Sequence, residues 1–378
     1  MYLSHLRLTQ FKNYAQQRLS FSPRLNCFVG FNGAGKTNLL EAIYYLCMSK
    51  GYGNSVDQYN IRHGDRVARI DGTFTLDDER EDRIVVKLRK RQRKVIERNG
   101  TAYDRISEHV GRYPVVIVTP DDINLVLEGS ATRRKLLDNS LSQTDPQYLN
   151  HLIAYNRLLD NRNARLKELE GHHDHTGLLS VYDAQMKAPA EYIHQKRQAF
   201  VDPFTDLLTQ AYAAISGQRE EVGLEYKSHL TGTDWESLLS ERAEKDRILQ
   251  RTSGGVHRDE LVFTQNEHPL RRVASQGQLK SFVLSLKLAQ YRLLEASTNR
   301  TPILLLDDIF DKLDRERVKQ LLDLVMSSAF GQLFITDTDP ERITSLISHN
   351  PNVDWERFLV VDGVARNEAE WKRFLEEE

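Results

Sequence analysis

The chain has 378 residues, 40% of them hydrophobic and 28% charged, with 52 basic against 54 acidic side chains. This composition suits a globular protein of two domains, or of one domain with an insertion. It excludes a global basic field for nucleic acid, and no apolar run approaches the roughly 20 residues that cross a membrane. The N-terminus lacks the pattern of a secretion signal, and Cys27 and Cys47 fall in apolar segments. We therefore expect buried thiols and a cytoplasmic protein.

The first part of the chain predicts three strands and a phosphate-binding loop. Leu6 and Leu8 alternate with polar residues, as Leu19 and Phe21 do further along, which indicates two half-buried strands. The apolar run Leu25–Val29 indicates a third, buried strand. It leads directly into Gly30-Phe31-Asn32-Gly33-Ala34-Gly35-Lys36-Thr37, which fits the pattern G-x-x-x-x-G-K-S/T.

This loop has the chemistry of a nucleoside triphosphate site. Its glycines let the backbone curl so that several N–H groups face the phosphates. The Lys36 ammonium can reach the terminal phosphates, and the Thr37 hydroxyl can bind the Mg²⁺ that accompanies them. The spacing of Leu39, Ile43 and Leu46 predicts a helix after the loop, and a helix N-terminus attracts anions. The alternative is a glycine turn that only caps this helix, and the strand before the loop disfavours it.

Residues 66–105 predict a β-meander. Strand-like segments surround Ile70 and Val86 and include Val95-Ile96, with turn signals at Asp71-Gly72 and Asn99-Gly100. The meander also carries a run of basic residues, which are Arg83, Lys87, Arg89, Lys90, Arg91, Arg93, Lys94 and Arg98. The run is either a solvated hairpin, charged as a guard against edge pairing, or a surface for the phosphates of a nucleic acid. The sequence leaves both interpretations open.

A helical region follows the next predicted strand. Val115–Val118 is apolar throughout, which indicates a buried strand, and Thr119-Pro120 ends it. Residues 123 to about 250 then show helical spacing in three stretches, at residues 149–159, 178–186 and 204–215. The heptad pattern lasts only a few turns, which excludes a long coiled coil.

Polar motifs return after residue 251. A glycine-bearing segment, Gly254-Gly255-Val256-His257-Arg258-Asp259-Glu260, precedes a short strand, Leu261-Val262-Phe263. Ser275-Gln276-Gly277-Gln278 then opens a long helix. A serine and a glycine at a helix start offer a hydroxyl and N–H groups to an anion, but the same residues also make an ordinary N-cap.

Two carboxylates follow another strand. Ile303–Leu306 indicates a buried parallel strand, and Asp307-Asp308 come at its carboxyl end, where parallel sheets bind ligands. Asp307 can hold Mg²⁺ through water, and Asp308 can orient or deprotonate the attacking water. A helix and a strand at residues 333–336 come next. Because a phosphate loop precedes it in the same chain, the Asp pair indicates nucleotide hydrolysis.

Together these motifs resemble those of the RecF family, bacterial recombinational-repair ATPases of the ABC/SMC class. The resemblance runs nearly end to end. Its elements are an N-terminal motif (Phe11-Lys12-Asn13-Tyr14), the Walker A loop (residues 30–37), the entry to a helical arm (residues 118–122 with Arg133-Arg134-Lys135), a Gly-Pro-His-Arg-Asp-Asp element (residues 255–260, with Val256 for proline), the ABC signature (residues 275–278), Walker B (residues 304–308) and the D-loop (Asp311-Lys312-Leu313-Asp314).

Besides Val256, three further elements depart from the patterns of this class. The family more often has Ser-Glu-Leu-Asp at the D-loop. Asp308 stands where transporter ATPases carry Glu, and a shorter carboxylate fits a slow ATPase. Thr336-Asp337-Thr338 contains no histidine to sense the γ-phosphate.

The resemblance implies an α/β fold with an ABC-type ATPase head. Such a head has a mixed β-sheet, flanking helices and a β-meander subdomain, and a helical arm is inserted into it. We expect residues 1–122 to form the N-terminal half of the head, residues 123–250 the arm, and residues 251–378 the C-terminal half of the head.

The resemblance also implies an ATP-gated DNA clamp. Two protomers would enclose two ATP molecules, each between Gly30, Phe31, Asn32, Gly33, Ala34, Gly35, Lys36 and Thr37 of one chain and Ser275, Gly277, Gln278 and Asp314 of the other. Lys36 and Asp308 would be catalytic, and Thr37 and Asp307 would bind Mg²⁺. The dimer would hold gapped duplex DNA, with single-stranded DNA as a further ligand, and would promote RecA loading together with RecR and RecO. Slow, DNA-dependent ATP hydrolysis would release it.

Two other classes of protein share the phosphate loop. The ATPase subunit of a transporter is disfavoured by the β-meander, by the large helical insert and by the missing switch histidine. A P-loop phosphotransferase would need an acceptor site that the sequence does not offer. Stimulation of ATP hydrolysis by gapped duplex DNA, rather than by membranes or a small acceptor, separates the three classes.

Overall fold

The computed structural model of the chain describes residues 1–53, 56–170, 172–216, 220–309, 320, 324–325, 330–342, 344 and 353–377. The chain divides into two compact units. The head unit comprises Met1–Asp122 and Gln290–Glu378, and the arm unit comprises Ile123–Ala289. The arm expected from the sequence ends at residue 250, whereas the arm unit continues to Ala289, because a strand before residue 250 pairs with a strand after it.

The strands among the described residues are β1 (Tyr2–Phe11), β2 (Tyr14–Ser20), β3 (Leu25–Val29), β4 (Val67–Thr75), β5 (Glu81–Arg89), β6 (Val95–Arg98), β7 (Thr101–Ala102), β8 (Val115–Val118), β9 (Val222–Lys227), β10 (Glu260–Gln265), β11 (His268–Pro269), β12 (Ile303–Leu306), β13 (Leu333–Asp337), β14 (Trp355–Val361) and β15 (Val364–Asn367). The α-helices that lie wholly within the described ranges are α1 (Lys36–Met48), α2 (Asn124–Leu127), α3 (Ser130–Thr144), α4 (Pro146–Glu168), α5 (Leu178–Ser216), α6 (Trp235–Leu249), α7 (Leu270–Val273), α8 (Gln276–Thr298) and α9 (Glu368–Glu377). Short 3₁₀ turns lie at Asp57–Asn60, Ile106–Glu108, Pro120–Ile123 and Val256–Arg258.

A six-stranded sheet of the head unit positions the phosphate loop. Its order is β15-β14-β3-β13-β12-β8, and all neighbouring strands run parallel except β14 and β15. β3, β8 and β12 are buried along their whole length, as their apolar sequences predict, and Asn26 is the one polar residue among them. Parallel strands end at the same edge of a sheet, so the loop that follows β3 and the Asp pair that follows β12 lie at one edge.

A second, antiparallel sheet of the head unit has the order β2-β1-β4-β5-β6-β7. It confirms the two N-terminal strands and the β-meander, and Asn99-Gly100 is the turn between β6 and β7. The turn predicted at Asp71-Gly72 is wrong, because both residues lie inside β4. Gly72 makes room for the neighbouring helix: a Cβ at this position would lie 2.4 Å from Cδ1 of Leu46 in α1.

Helix α1 contributes to one apolar core with both sheets. This core contains Leu39 of α1, Ile70 of the antiparallel sheet and Phe334 of the parallel sheet. Cys27 and Cys47 are buried free thiols, as the sequence predicts. The helix that opens at the phosphate loop is therefore held by packing on both faces.

The arm unit combines long helices with a small sheet. Its sheet has the order β11-β10-β9, and the two helical stretches predicted between residues 178 and 215 form the single helix α5. Pro189 and Pro203 both lie inside α5. The sequence pattern places residues 222–227 in a largely helical region, and this prediction is wrong. These residues form the strand β9, because they pair with the distant β10.

Buried charges fix the glycine-bearing segment within the arm unit. Arg197 is 2% exposed, and its guanidinium donates to Asp259 at 2.6 Å, to Asp138 at 2.8 Å and to the carbonyl of Val256 at 2.7 Å. Burial lowers the pKa of the neighbouring His257 to about 4. Because removal of one partner would leave a buried charge uncompensated, this network specifies the local structure of the segment.

Candidate nucleotide-binding site

The phosphate loop joins the end of β3 to the start of α1. Gly35, the N-cap of α1, has φ of 117°, a left-handed value that favours glycine. Glycine has no side chain that could cap the helix. The first N–H groups of α1 are therefore open to a ligand. Phe31, Asn32 and Gly33 are exposed, whereas Ala34 and Gly35 are buried. The loop thus presents backbone donors at a helix N-terminus, an arrangement that binds phosphate.

The side chain of Lys36 folds back onto the start of the loop. Its ammonium donates to the carbonyls of Gly30 at 2.8 Å and Phe31 at 3.2 Å, and the residue is 5% exposed. These bonds offset the cost of burying the charge. Because an ammonium has three N–H donors, it can keep these two bonds and give one to a phosphate oxygen.

Thr37 and Asp307 lie together as a Mg²⁺ site requires. The Thr37 hydroxyl is 3.0 and 2.9 Å from the two carboxylate oxygens of Asp307. Asp307 is 5% exposed, and burial raises the pKa of its carboxyl group, against the lowering effect of hydrogen bonds from Thr336 and Thr37. Hydroxyl and carboxylate oxygens are ligands that Mg²⁺ prefers. The two side chains therefore fit a divalent cation between the loop and the end of β12.

Thr336 of β13 holds both members of the Asp pair. Its hydroxyl donates to Oδ1 of Asp307 at 2.7 Å and accepts the backbone N–H of Asp308 at 2.9 Å. Asp308 has φ of 48°, a left-handed conformation that redirects the chain directly after Asp307. In the sequence, Thr336 was noted only because the segment lacks a switch histidine. Its hydrogen bonds to Asp307 and Asp308 were not predicted. The available signal was a hydroxyl at the carboxyl end of a second buried strand.

Three further residues contact the backbone of the loop, and the sequence did not predict any of them as site residues. Asn13 Nδ2 donates to the Ala34 carbonyl at 3.0 Å, and the Tyr14 hydroxyl donates to the Gly35 carbonyl at 3.0 Å. The N–H of Gly363, in the turn between β14 and β15, also donates to the Ala34 carbonyl, at 3.0 Å. Asn13 and Tyr14 stood out only as part of a family motif, and nothing in the sequence around Gly363 pointed to the loop.

The basic run of the meander divides into two groups. Ion pairs join Arg83 to Asp71, Lys87 to Glu97, Lys94 to Asp57 and Arg98 to Asp82. The other members are Arg89, Lys90, Arg91 and Arg93, which are exposed around the turn between β5 and β6. We call residues 89–93 the basic tip. Among the ion pairs of the described residues, none involves this tip.

The chain matches one family over most of its length. Residues 2–349 match the family described as "RecF/RecN/SMC N terminal domain". A protein of Flavobacterium johnsoniae named "DNA replication and repair protein RecF" is 44% identical over 348 residues, which are 92% of this chain and 97% of that protein. The protein of the same name from Parabacteroides distasonis is 42% identical over 363 residues, which are 96% of this chain and 98% of that protein. The chain belongs to the RecF family.

Solved RecF structures share the fold. One, described as "the recombination mediator protein RecF-ATPrS in RecFOR pathway", is 29% identical with a TM-score of 0.87 over 97% of this chain and 98% of that chain. Its counterpart with ATP is 28% identical with a TM-score of 0.85 over 97% of both chains. An Smc head domain from Pyrococcus furiosus, 17% identical with a TM-score of 0.56 over 100% of this chain and 99% of that chain, has a related fold. The predicted ABC/SMC-type head with an inserted arm is confirmed.

The segment predicted as the signature, residues 275–278, lies at the start of α8, in the arm unit. The Ser275 N–H donates to Oε1 of Gln278 at 2.7 Å, and the Gln278 N–H donates to the Ser275 hydroxyl at 3.3 Å. These reciprocal bonds are a capping box, with Gly277 in the first turn. The structure thus shows the N-cap interpretation, while contact of these residues with a nucleotide stays a prediction. Asp314 of the D-loop lies outside the described residues.

Among the helices of the described residues, none has the length and apolar character to cross a bilayer.

Proposed function

We propose that this RecF-family chain is an ATP-dependent DNA-binding repair protein with a weak ATPase activity. Two copies close on two ATP molecules, hold duplex or gapped DNA, and release it after slow hydrolysis. The observation that carries the proposal is the contact of Thr37 with Asp307 beside Lys36, because it combines a cation site, an ammonium and a helix N-terminus at one loop. The solved RecF described as bound to ATP supports ATP as the nucleotide.

The proposed roles in hydrolysis follow from these positions. The loop N–H groups and Lys36 hold the phosphates, and Thr37 and Asp307 hold Mg²⁺, which when bound offsets the negative charge of the phosphates. Asp308, whose backbone is held by Thr336, orients the attacking water and accepts its proton. Its carboxylate is one methylene shorter than that of Glu, which suits slow turnover.

The second copy completes each site in this proposal. Its Ser275, Gly277 and Gln278 close on the γ-phosphate, with Asp314 at the same interface. The names of the relatives support DNA as the partner and the RecFOR pathway as the context. Within that context we propose that the protein acts with RecR and RecO in RecA loading. Buried free thiols at Cys27 and Cys47 support a cytoplasmic location.

Gapped duplex DNA should stimulate ATP hydrolysis by the wild-type protein, and charge reversal at the basic tip should remove that stimulation. The variant Arg89→Glu/Arg91→Glu/Arg93→Glu loses three candidate phosphate contacts but leaves the phosphate loop intact. Each contact contributes about 0.9 to the slope of log K against log salt concentration, so the slope should flatten by about 2.7. Fluorescence anisotropy over a salt series measures this slope, and phosphate release measures the ATPase rate.

The matched control replaces the same three arginines by lysine, which keeps the charges and should keep DNA binding. An unchanged salt slope after charge reversal would mean that the basic tip is only a solvated hairpin and does not contact DNA. If the wild-type ATPase responds to membranes or to a small acceptor but not to gapped DNA, the DNA part of the proposal is wrong.

Mixing two inactive variants should restore part of the activity if the site is shared between chains. Lys36→Ala damages the phosphate loop, and Ser275→Arg damages the opposing signature. In a mixed dimer one site carries both lesions and the other carries neither. Random equal mixing makes about half of the dimers mixed, each with one good site of two, so roughly a quarter of the wild-type rate should return if the sites act independently.

The capping box at Ser275 calls for a second variant in this experiment. Ser275→Asp keeps a good N-cap, but it places a carboxylate where the γ-phosphate is proposed to lie. It should therefore fail as a homodimer and complement Lys36→Ala as Ser275→Arg does. Wild-type activity of Ser275→Asp, or no recovery of hydrolysis and dimerisation on mixing, would reduce Ser275 to a helix cap.

A further inference from the structure

The N-terminal motif Phe11-Lys12-Asn13-Tyr14 lies against the phosphate loop. Phe11 and Tyr14 pair across β1 and β2, so Lys12 and Asn13 form the tight turn between these strands. Phe11 and Tyr14 are fully buried in the core of the head unit. Burial also raises the pKa of the Tyr14 phenol, so its hydroxyl remains a donor at neutral pH. The turn is therefore anchored on a packed sheet.

Two side-chain donors of this motif, those of Asn13 and Tyr14, are bonded to loop carbonyls, while the Lys12 ammonium pairs with Glu41. The Tyr14 hydroxyl donates to the carbonyl of Gly35, and Asn13 Nδ2 donates to that of Ala34, each at 3.0 Å. Asn38 of α1 donates to Oδ1 of Asn13 at 2.8 Å. That bond fixes the Asn13 amide with its NH₂ group toward the loop.

The direction of these carbonyls sets the direction of two N–H groups. In a trans peptide group the C=O and the N–H point in opposite directions. The carbonyls of Ala34 and Gly35 share peptide groups with the N–H of Gly35 and of Lys36. Because both carbonyls are tied to Asn13 and Tyr14, these two N–H groups face away from the motif. They are donors at the N-terminus of α1, where an anion binds.

The contact between motif and loop leaves no room for a side chain at Gly35. A Cβ there would lie 2.4 Å from Nδ2 of Asn13 and 2.9 Å from the hydroxyl oxygen of Tyr14. The third glycine of the phosphate loop, Gly35, is thus required by the motif as well as by its positive φ. The loop and the motif are therefore in close contact at Gly35.

We infer that Asn13 and Tyr14 are positioning residues for phosphate binding. They hold two consecutive peptide groups so that the N–H of Gly35 and of Lys36 are aimed before the ligand arrives. The inference rests on the proposed ATP site at residues 30–37 and adds two side chains that act through the loop backbone. Donors that are already oriented need no reorganisation on binding. Loss of the hydrogen bonds from Asn13 and Tyr14 should therefore lower the affinity for the phosphate chain.

Tyr14→Phe tests the inference by removing one hydroxyl group. Titration calorimetry in Mg²⁺ should show the Kd for ATP rising about 3- to 10-fold, the effect of one net hydrogen bond. Inorganic tripolyphosphate should lose affinity by the same factor, because it shares only the phosphate chain with ATP. Asn13→Ala, at a partly exposed position, should act in the same direction and decides the question if Tyr14→Phe fails to fold.

The matched control is Tyr113→Phe in the same unit. The buried Tyr113 hydroxyl donates to Asp82 at 2.8 Å, and its ring stacks on Phe74. Tyr113→Phe should lower the melting temperature and leave both Kd values unchanged. Unaltered Kd values in folded Tyr14→Phe and Asn13→Ala, or an equal rise in Tyr113→Phe, would overturn the inference. If Lys36→Ala alone abolishes ATP binding, the proposed site stands and only the positioning role is lost.

Discussion

Lys36→Ala should abolish ATP binding while the chain stays folded. The ammonium is the loop's only side-chain cation, and the proposal places it on the terminal phosphates. Charge-assisted hydrogen bonds contribute about 1.5–3 kcal/mol each, so losing the one that Lys36 can give to a phosphate oxygen, together with the attraction of its charge, weakens binding by roughly 10- to 10⁴-fold. Because Asn13, Tyr14 and Gly363 hold the loop backbone independently of Lys36, the loop should keep its shape. Calorimetric titration measures the affinity, and thermal unfolding checks the fold.

Lys94→Ala is the control for this loss of an ammonium. Lys94 is a partly buried lysine of the head unit, where it pairs with Asp57 away from the loop. It should leave the Kd for ATP unchanged. Normal ATP affinity in folded Lys36→Ala would contradict the assignment of residues 30–37 as the nucleotide site.

Asp308→Asn should keep ATP and lose turnover, which would trap the dimer on DNA. The amide has nearly the shape of the carboxylate, and the bond from Asp308 to Thr336 uses the backbone N–H, so the local structure is retained. What is lost is the ability to accept a proton from the attacking water, a contribution of about 10²- to 10⁴-fold in rate. Single-turnover hydrolysis and the lifetime of the DNA complex measure the two effects.

Asp307→Asn distinguishes the two carboxylates. Asp307 contacts Thr37, so its amide variant should raise the Mg²⁺ concentration needed for ATP binding, whereas Asp308→Asn should not. Hydrolysis at the wild-type rate by Asp308→Asn would mean that another residue positions the water.

The centre of the site was predictable because local rules suffice for it. The spacing of Gly30, Gly35, Lys36 and Thr37 specifies a phosphate loop wherever a strand precedes it and a helix follows. An unbroken apolar strand before Asp307 indicates a buried parallel strand, and parallel strands bring their carboxyl ends to one edge. These two rules together place Thr37 near Asp307, as the structure shows.

The parts that sequence reasoning missed depend on distant pairing. β9 is a strand because β10 lies beside it, and Gly72 is a glycine because Leu46 approaches it from α1. Neither cause is visible within a short window of sequence. The same holds for Thr336, whose role depends on the adjacency of β12 and β13.

The strand order of the parallel sheet also determines when its strands can pair during translation of the chain. β3 lies between β14 and β13, and both of these are translated after residue 330. At about 5–20 residues per second, the ribosome delivers them roughly 15–60 s after β3. Until then β3 has two unpaired edges, which are sites for mispairing with other chains. A message truncated before Gly363 would therefore yield a chain whose phosphate loop lacks the hydrogen bond from the Gly363 N–H to the Ala34 carbonyl.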